Sequence, residues 1–299
     1  MPEEGMKLIA SSGSVNIYCP EEGRYSFFNS PYPMHRLCAG VDVYPGGMFG
    51  DAAPSPVHGK VIKVRMVKCP QGKGFRSSDR DYVILLQSLE NAERWIKILH
   101  VEPFVKVGDN VEPGAELGNL IRSGFFDFWT DAHIHVEGRK PSDPIRARGG
   151  FKIERLIEVD ISETNPKDLS GMVIESKPEY SLVALDEKLE HGVGVDLNGQ
   201  AGILDAGIPH YGWIGVHTNS SHPVGRAVRL CGKEIGIITH TYSDMCVAKG
   251  CDPVFTLKGK PIRLSLYLYA TSAPLVKIIP PQPGSLNLER SERVTVSIS

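Results

Sequence analysis

Apolar and polar positions alternate over short stretches along most of this chain. Val61-Ile62-Lys63-Val64, Tyr82-Val83-Ile84-Leu85-Leu86 and Trp95-Ile96-Lys97-Ile98-Leu99-His100 are β-branched or aromatic runs bounded by turn residues, which is the pattern of strands. Residues 88–94 join the last two as a hairpin loop. The pattern returns in Gly202-Ile203-Leu204-Asp205, Trp213-Ile214-Gly215-Val216-His217 and Glu234-Ile235-Gly236-Ile237-Ile238-Thr239. The run from Ile262 to Tyr269 alternates cleanly, predicting one buried and one wet face. Only residues 151–162, with Ile153, Leu156, Ile157 and Val159, carry helical spacing. They follow Arg148-Gly149-Gly150, a loop that sets the expected domain boundary, giving domains 1–150 and 151–299. Pro280-Pro281-Gln282-Pro283-Gly284 is expected to end the compact part before a polar tail. The expected fold class is mainly β: an N-terminal β-sandwich followed by a second β-rich, sandwich-like domain.

The 299 residues suffice for two domains with real cores. Charge is nearly balanced, 33 Lys+Arg against 35 Asp+Glu, so nucleic acid and acidic membrane surfaces are not expected partners. No apolar run reaches the length of a membrane span. Met1-Pro2-Glu3-Glu4-Gly5 lacks the basic-then-apolar order of a signal peptide, and the six cysteines are scattered. Together these lead to the expectation of a cytoplasmic protein with reduced thiols.

The chemistry concentrates in Asp131-Ala132-His133-Ile134-His135-Val136-Glu137 and, far upstream, Cys38-Ala39-Gly40-Val41-Asp42. In a strand, His133 and His135 point to one side. Two imidazoles joined by a thiol and a carboxylate can make a metal site. Between the two segments, Gly108-Asp109 and Pro113-Gly114 flank Val105, Val107 and Val111. Such tight-turn pairs suit a small β-sandwich that folds back on itself. Residues 120–125 offer no lysine for a biotinyl or lipoyl carrier, and no Gly-rich segment follows His100 as in a sugar phosphocarrier.

In this order, Cys38-Ala39-Gly40-Val41-Asp42, Ala53-Pro54-Ser55-Pro56-Val57-His58-Gly59-Lys60-Val61, Ile98-Leu99-His100-Val101, residues 105–118 and His133-Ile134-His135-Val136-Glu137 resemble the LytM/lysostaphin-type zinc endopeptidases, the M23 metallopeptidase family. The resemblance covers somewhat over a third of the chain. It implies a LytM-like duplicated hybrid β-sandwich, with Asp42 and His135 as zinc ligands and His100 and His133 as catalytic imidazoles beside the metal. Glu137 would fix the orientation or tautomer of an imidazole. The implied chemistry is hydrolysis of a peptide or related amide by metal-activated water, one histidine taking the proton and the other steadying the oxyanion.

The pattern breaks at the first ligand, where the family's histidine is replaced by Cys38. Cys38 as a thiolate ligand is one reading. His35, one turn earlier, is the other, disfavoured by its longer spacing to Asp42. The tyrosine two residues before the catalytic histidine is Ile98, and the loop before H-x-H is aromatic, with Phe125, Phe126, Phe128 and Trp129. These departures leave a second reading: a degenerate, non-catalytic domain that binds a ligand or partner, with or without a structural zinc. In the second half His210, His217, His222, His240, Cys231, Cys246 and Cys251 have no zinc-finger spacing, and packing is the expected role.

Overall fold

The computed structural model describes residues 4–158, 166–187, 189–221 and 223–299. Two compact units divide it: Met1–Tyr25 with Tyr32–Glu158, and Ser26–Pro31 with Val159–Ser299. The architecture is mainly β.

In the first unit the strands are β1 (Met6–Ser12), β2 (Asn16–Pro20), β3 (Arg24–Ser26), β4 (Val41–Tyr44), β5 (Ala52–Pro54), β6 (Gly59–Lys68), β7 (Arg80–Ser88), β8 (Trp95–Leu99), β9 (Val101–Pro103), β10 (Asn110–Val111), β11 (Glu116–Leu120), β12 (Ile134–Arg139) and β13 (Ile153–Arg155). The principal antiparallel sheet runs β10-β6-β7-β8-β12-β4-β3. Two small sheets, β13-β1-β2 and β5-β11-β9, accompany it. The expected hairpin between β7 and β8 forms, with Val83 opposite Leu99 and Gln87 opposite Trp95. Ile84, Leu86, Ile96, Ile98, Val41, Val43, Ile134 and Val136 are all buried and supply the apolar core of this sheet. Gly118 on β11 has φ +151°, and a Cβ there would lie 2.0 Å from the Glu102 carbonyl. Only glycine lets β11 lie against β9 at that point.

β12 is buried at every position, including His135, Glu137 and Arg139. Alternation puts Ile134, Val136 and Gly138 on one face and these three polar residues on the other. A polar face buried along a central strand requires internal partners for every charge. Here those partners make the site.

The helical reading of residues 151–162 is corrected: Ile153–Arg155 is a strand, paired with Ser12 through Ala10, and residues 159–162 lie outside the described residues. Pairing with β1 satisfies this backbone, and three apolar spacings are too few to hold an isolated helix.

The second unit closes its strands into two rings. Val193–Asp196, Ala227–Leu230, Lys233–Tyr242, Met245–Gly250, Trp213–His217 and Ala201–Ile208 pair in that order, and the last pairs back to the first. Lys260–Leu266, Phe255–Leu257, Arg293–Ile298, Leu169–Ser176, Ser181–Leu185 and Leu275–Ile279 close the other. Closure leaves no open edge, and alternation alone does not distinguish it from a sandwich. Two expectations are corrected here. Residues 293–298 are a strand of the second ring rather than a tail, burying Val294 and Val296. The polar face of residues 262–269 is not wet: Ser265, Tyr267 and Tyr269 are buried. Asn29 covers part of it, accepting from Ser265 Oγ (3.3 Å) and donating to the Leu266 carbonyl (3.3 Å).

Candidate metal centre

Four neighbouring strands, β7, β8, β12 and β4, bring the candidate residues together. Asp42 stands directly opposite His135 across β4 and β12, and Glu137 stands opposite Lys97 across β12 and β8. Ahead of β4 the chain makes one helical turn, α1 (Pro33–Arg36), which proline opens with its preset φ. Cys38 then takes φ +53° and turns the chain back, its amide donating to the His35 carbonyl (2.9 Å) while that of Ala39 donates to Met34 (2.9 Å). This turn aims the buried His35 at β4. Gly40 passes beside the site: a Cβ there would sit 2.7 Å from Cε1 of His135.

His35, Asp42 and His135 form a group whose ligand atoms lie within 4.8 Å of one another, a set that could hold a metal ion. His135 Nδ1 is 2.7 Å from Asp42 Oδ1, and His35 Nε2 is 3.2 Å from both that oxygen and His135 Nδ1. All three side chains are at most 2% exposed. The second carboxylate oxygen, Asp42 Oδ2, is buried without a hydrogen-bond partner among the described residues, and His133 Nε2 stands 3.6 Å away. A carboxylate oxygen stranded in this way is costly unless something positive completes it. The N,N,O donor set and the orphaned oxygen fit a divalent metal cation.

Of the two expected candidates for the first ligand, Cys38 and His35, the structure groups one with Asp42 and His135. The group that the fold assembles contains His35, and Cys38 is not in it. The longer spacing from His35 to Asp42, which argued against it in the sequence, is taken up by the helical turn and the left-handed residue at 38.

His100 and His133 lie next to the group, their rings 5.0 Å apart between centroids. His133 Nδ1 donates to the Asp131 carbonyl (2.9 Å), while Arg24 and Asp131 form an ion pair. Burial pushes the His133 imidazole down to about 4, against the pull of Asp42, so it is uncharged at neutral pH. Phe126 packs on both imidazoles, 4.6 Å from His100 and 5.0 Å from His133. Asp81, which no sequence motif flagged, holds His100 through Nδ1 at 2.6 Å. The signal was the hairpin register: Asp81 opens an otherwise apolar run whose partner strand ends at Leu99, next to His100.

Beyond His135, Nε2 meets Glu137 Oε1 at 3.0 Å. Lys97 Nζ lies 2.6 Å from the same oxygen, and Arg139 donates to Oε2 at 2.9 Å. Tyr32 Oη accepts from Lys97 (3.0 Å). Burial opposes the Glu137 charge, but His135 and Lys97 outweigh it and keep its carboxyl below the usual range. Likewise burial opposes ionisation of Asp42, and the surrounding histidines His35, His133 and His135 hold it well below the usual range. Asp42 and Glu137 together raise His135 against the effect of its burial.

Among the described residues, the histidines and cysteines of the second half do not gather in this way. His217 Nε2 lies 3.2 Å from Asp205, which also accepts from Ser26 Oγ (2.5 Å) and the Phe27 amide (2.6 Å). Cys246 is buried, Cys251 is exposed, and His222 lies outside the described residues. Among the described residues the His35 group is the one that meets the ligand-distance requirement. Also among them, no helix is long and apolar enough to cross a membrane.

Residues 16–155, the stretch that contains every member of this site, match a family model described as the N-terminal domain of a domain of unknown function, DUF8155. No curated protein matches the chain. Among solved structures the chain is similar to the NMR solution structure of lysostaphin, at 13% identity and a TM-score of 0.27, over 91% of this chain and 95% of that one.

Proposed function

We propose that the first unit is a zinc-dependent hydrolase acting on a peptide or related amide bond. One observation carries the reading: two further imidazoles, His100 and His133, stand beside a buried His35–Asp42–His135 group. When bound, zinc supplies Lewis acidity, polarising the scissile carbonyl and acidifying water. His35 Nε2, Asp42 and His135 Nδ1 would hold it. Glu137 fixes the His135 tautomer by accepting from Nε2, so that Nδ1 presents its lone pair to the metal. Of the two free imidazoles, one accepts the proton of the attacking water and the other stabilises the negative charge that develops on the carbonyl oxygen.

The depth of burial favours a second reading, in which the domain keeps a structural metal and no turnover. His133 is 6% exposed and Phe126 covers both imidazoles.

Elemental analysis of the purified full-length chain, together with hydrolysis of a mixed library of quenched fluorogenic peptides, separates the two. The hydrolase reading expects close to one zinc per chain, turnover abolished by chelator and restored by zinc. Stoichiometric zinc without turnover establishes the second reading, and a protein that takes up no metal overturns both.

A further inference from the structure

His100 sits at a backbone position that no ordinary strand residue occupies. Its φ is +70°, in the left-handed region, just where β8 ends and β9 begins. Holding a non-glycine residue there requires compensation from its surroundings. The Ile121 amide donates to the His100 carbonyl at 3.1 Å, and the rest of the compensation comes from one side chain. Asp81 Oδ2 lies 2.6 Å from His100 Nδ1, and Asp81 Oδ1 accepts from the main-chain amide of His100 at 3.1 Å and from that of Tyr82 at 2.7 Å. Both oxygens of this buried carboxylate are therefore committed, one to the imidazole and one to the backbone that aims it.

From this two-point clamp we infer that Asp81 is the positioning residue of the general base, His100. An ionised carboxylate only accepts hydrogen bonds, so the proton shared with Asp81 belongs to Nδ1 of His100. The lone pair is then on Nε2, at the opposite edge of a ring that also packs against Phe126, His133 and His135. Asp81 remains ionised there: burial opposes its charge, but the neighbouring His100 and the hydrogen bonds the carboxylate accepts outweigh burial and lower its carboxyl.

The two imidazoles of the site are thereby unequal. His133 gives its Nδ1 proton to a neutral carbonyl, that of Asp131, whereas His100 gives its own to a carboxylate. A carboxylate behind the ring stabilises the imidazolium that forms on proton uptake; a carbonyl does so less. His100 Nε2 accordingly takes a proton from water as the water oxygen bonds to the amide carbon. The same proton passes to the amide nitrogen as the carbon–nitrogen bond breaks, leaving a carboxyl group and an amine.

This inference rests on the hydrolase reading, and the test keeps the two apart. Full-length protein labelled with ¹⁵N-histidine reports each imidazole tautomer by long-range ¹H–¹⁵N NMR, with the His100 signal assigned by its loss in His100→Gln. In parallel, kcat and KM on the quenched fluorogenic peptides and zinc content are measured for wild type, Asp81→Asn and Asp81→Glu. The expected result is a His100 fixed with its proton on Nδ1 in wild type and moved to Nε2 in Asp81→Asn. Asp81→Asn should also lower kcat about 100-fold or more at unchanged KM and zinc content. Asp81→Glu should recover part of kcat, which a merely structural role for Asp81 would not require. A wild-type His100 protonated on Nε2 overturns the inference, as does an Asp81→Asn enzyme with unchanged kcat, and in both cases the hydrolase reading survives. Wild-type protein that holds zinc and cleaves no peptide overturns the hydrolase reading, and the base role of His100 with it.

Discussion

Asp42 and His135 face each other directly across the β4–β12 ladder, with Oδ1 of one 2.7 Å from Nδ1 of the other. Two residues 93 positions apart are thus placed by sheet register, the most rigid constraint a β fold offers. Everything else in the site is arranged around this pair, and each surrounding contact can be tested.

The first test concerns the identity of the third ligand. His35→Ala should remove metal from the purified protein, and Asp42→Ala should do the same. Cys38→Ser should retain wild-type stoichiometry, because Cys38 shapes the turn and stands outside the ligand group. Elemental analysis of the three variants decides it; metal lost from Cys38→Ser alone would return the thiol to the site.

Glu137→Gln should weaken the protein twice over. The carboxylate is the shared partner of Lys97, Arg139 and His135, all buried. Replacing it takes the nearest counter-charge from buried Lys97 while Arg139 keeps Asp143 at 3.6 Å, a loss of about 3–5 kcal/mol in denaturant unfolding. It also frees the His135 tautomer, which should cost roughly 10–100-fold in metal affinity. Competition with a chromophoric chelator reads the second effect independently of the first.

Gly40→Ala separates the site from the fold. The added methyl would lie 2.7 Å from Cε1 of His135 and 3.2 Å from Cβ of Met34. Gly40 does not have a left-handed φ, so the backbone accepts alanine and the imidazole must move. The expectation is a folded protein by circular dichroism with metal affinity reduced at least about tenfold, since ligand displacement of this size breaks coordination geometry. Wild-type affinity would mean that His135 has room to yield.

His133 makes a pH-dependent contribution with a definite sign in the metal-free protein. Burial lowers its folded-state value from 6.5 to about 4. Between those limits the unfolded chain binds a proton that the folded chain refuses, so stability falls as pH drops from 6.5 towards 4. The part owed to this residue is on the order of 3 kcal/mol. Thermal unfolding of chelator-treated wild type and His133→Gln across that range should show the wild type losing stability more steeply; parallel curves would refute the assignment.

The elements legible in the sequence are those whose signal is local. The β7–β8 hairpin announces itself by two apolar runs and a polar loop, and His133-Ile134-His135 by period-two alternation. The tail was missed because Val294 and Val296 alternate with Arg293, Thr295 and Ser297 over only six residues, too short a run to stand out after a Pro-rich segment. The covered face of residues 262–269 was missed for another reason. Its cover, Asn29, lies more than two hundred residues away in the chain.

The sequence by itself determined that this chain is mainly β and that His133, His135 and Glu137 share a face; Asp42 was brought to them only by the family resemblance. Side-chain alternation and residue chemistry are properties of a few consecutive residues, readable without knowing what they pack against. Tertiary structure alone decided that His35 rather than Cys38 joins Asp42 and His135, and that Asp81 backs His100. Those choices depend on a single helical turn reversed at residue 38 and on which strand lies beside which. Loop geometry and strand order are set by the packing of the whole sheet, so no short stretch of sequence encodes them.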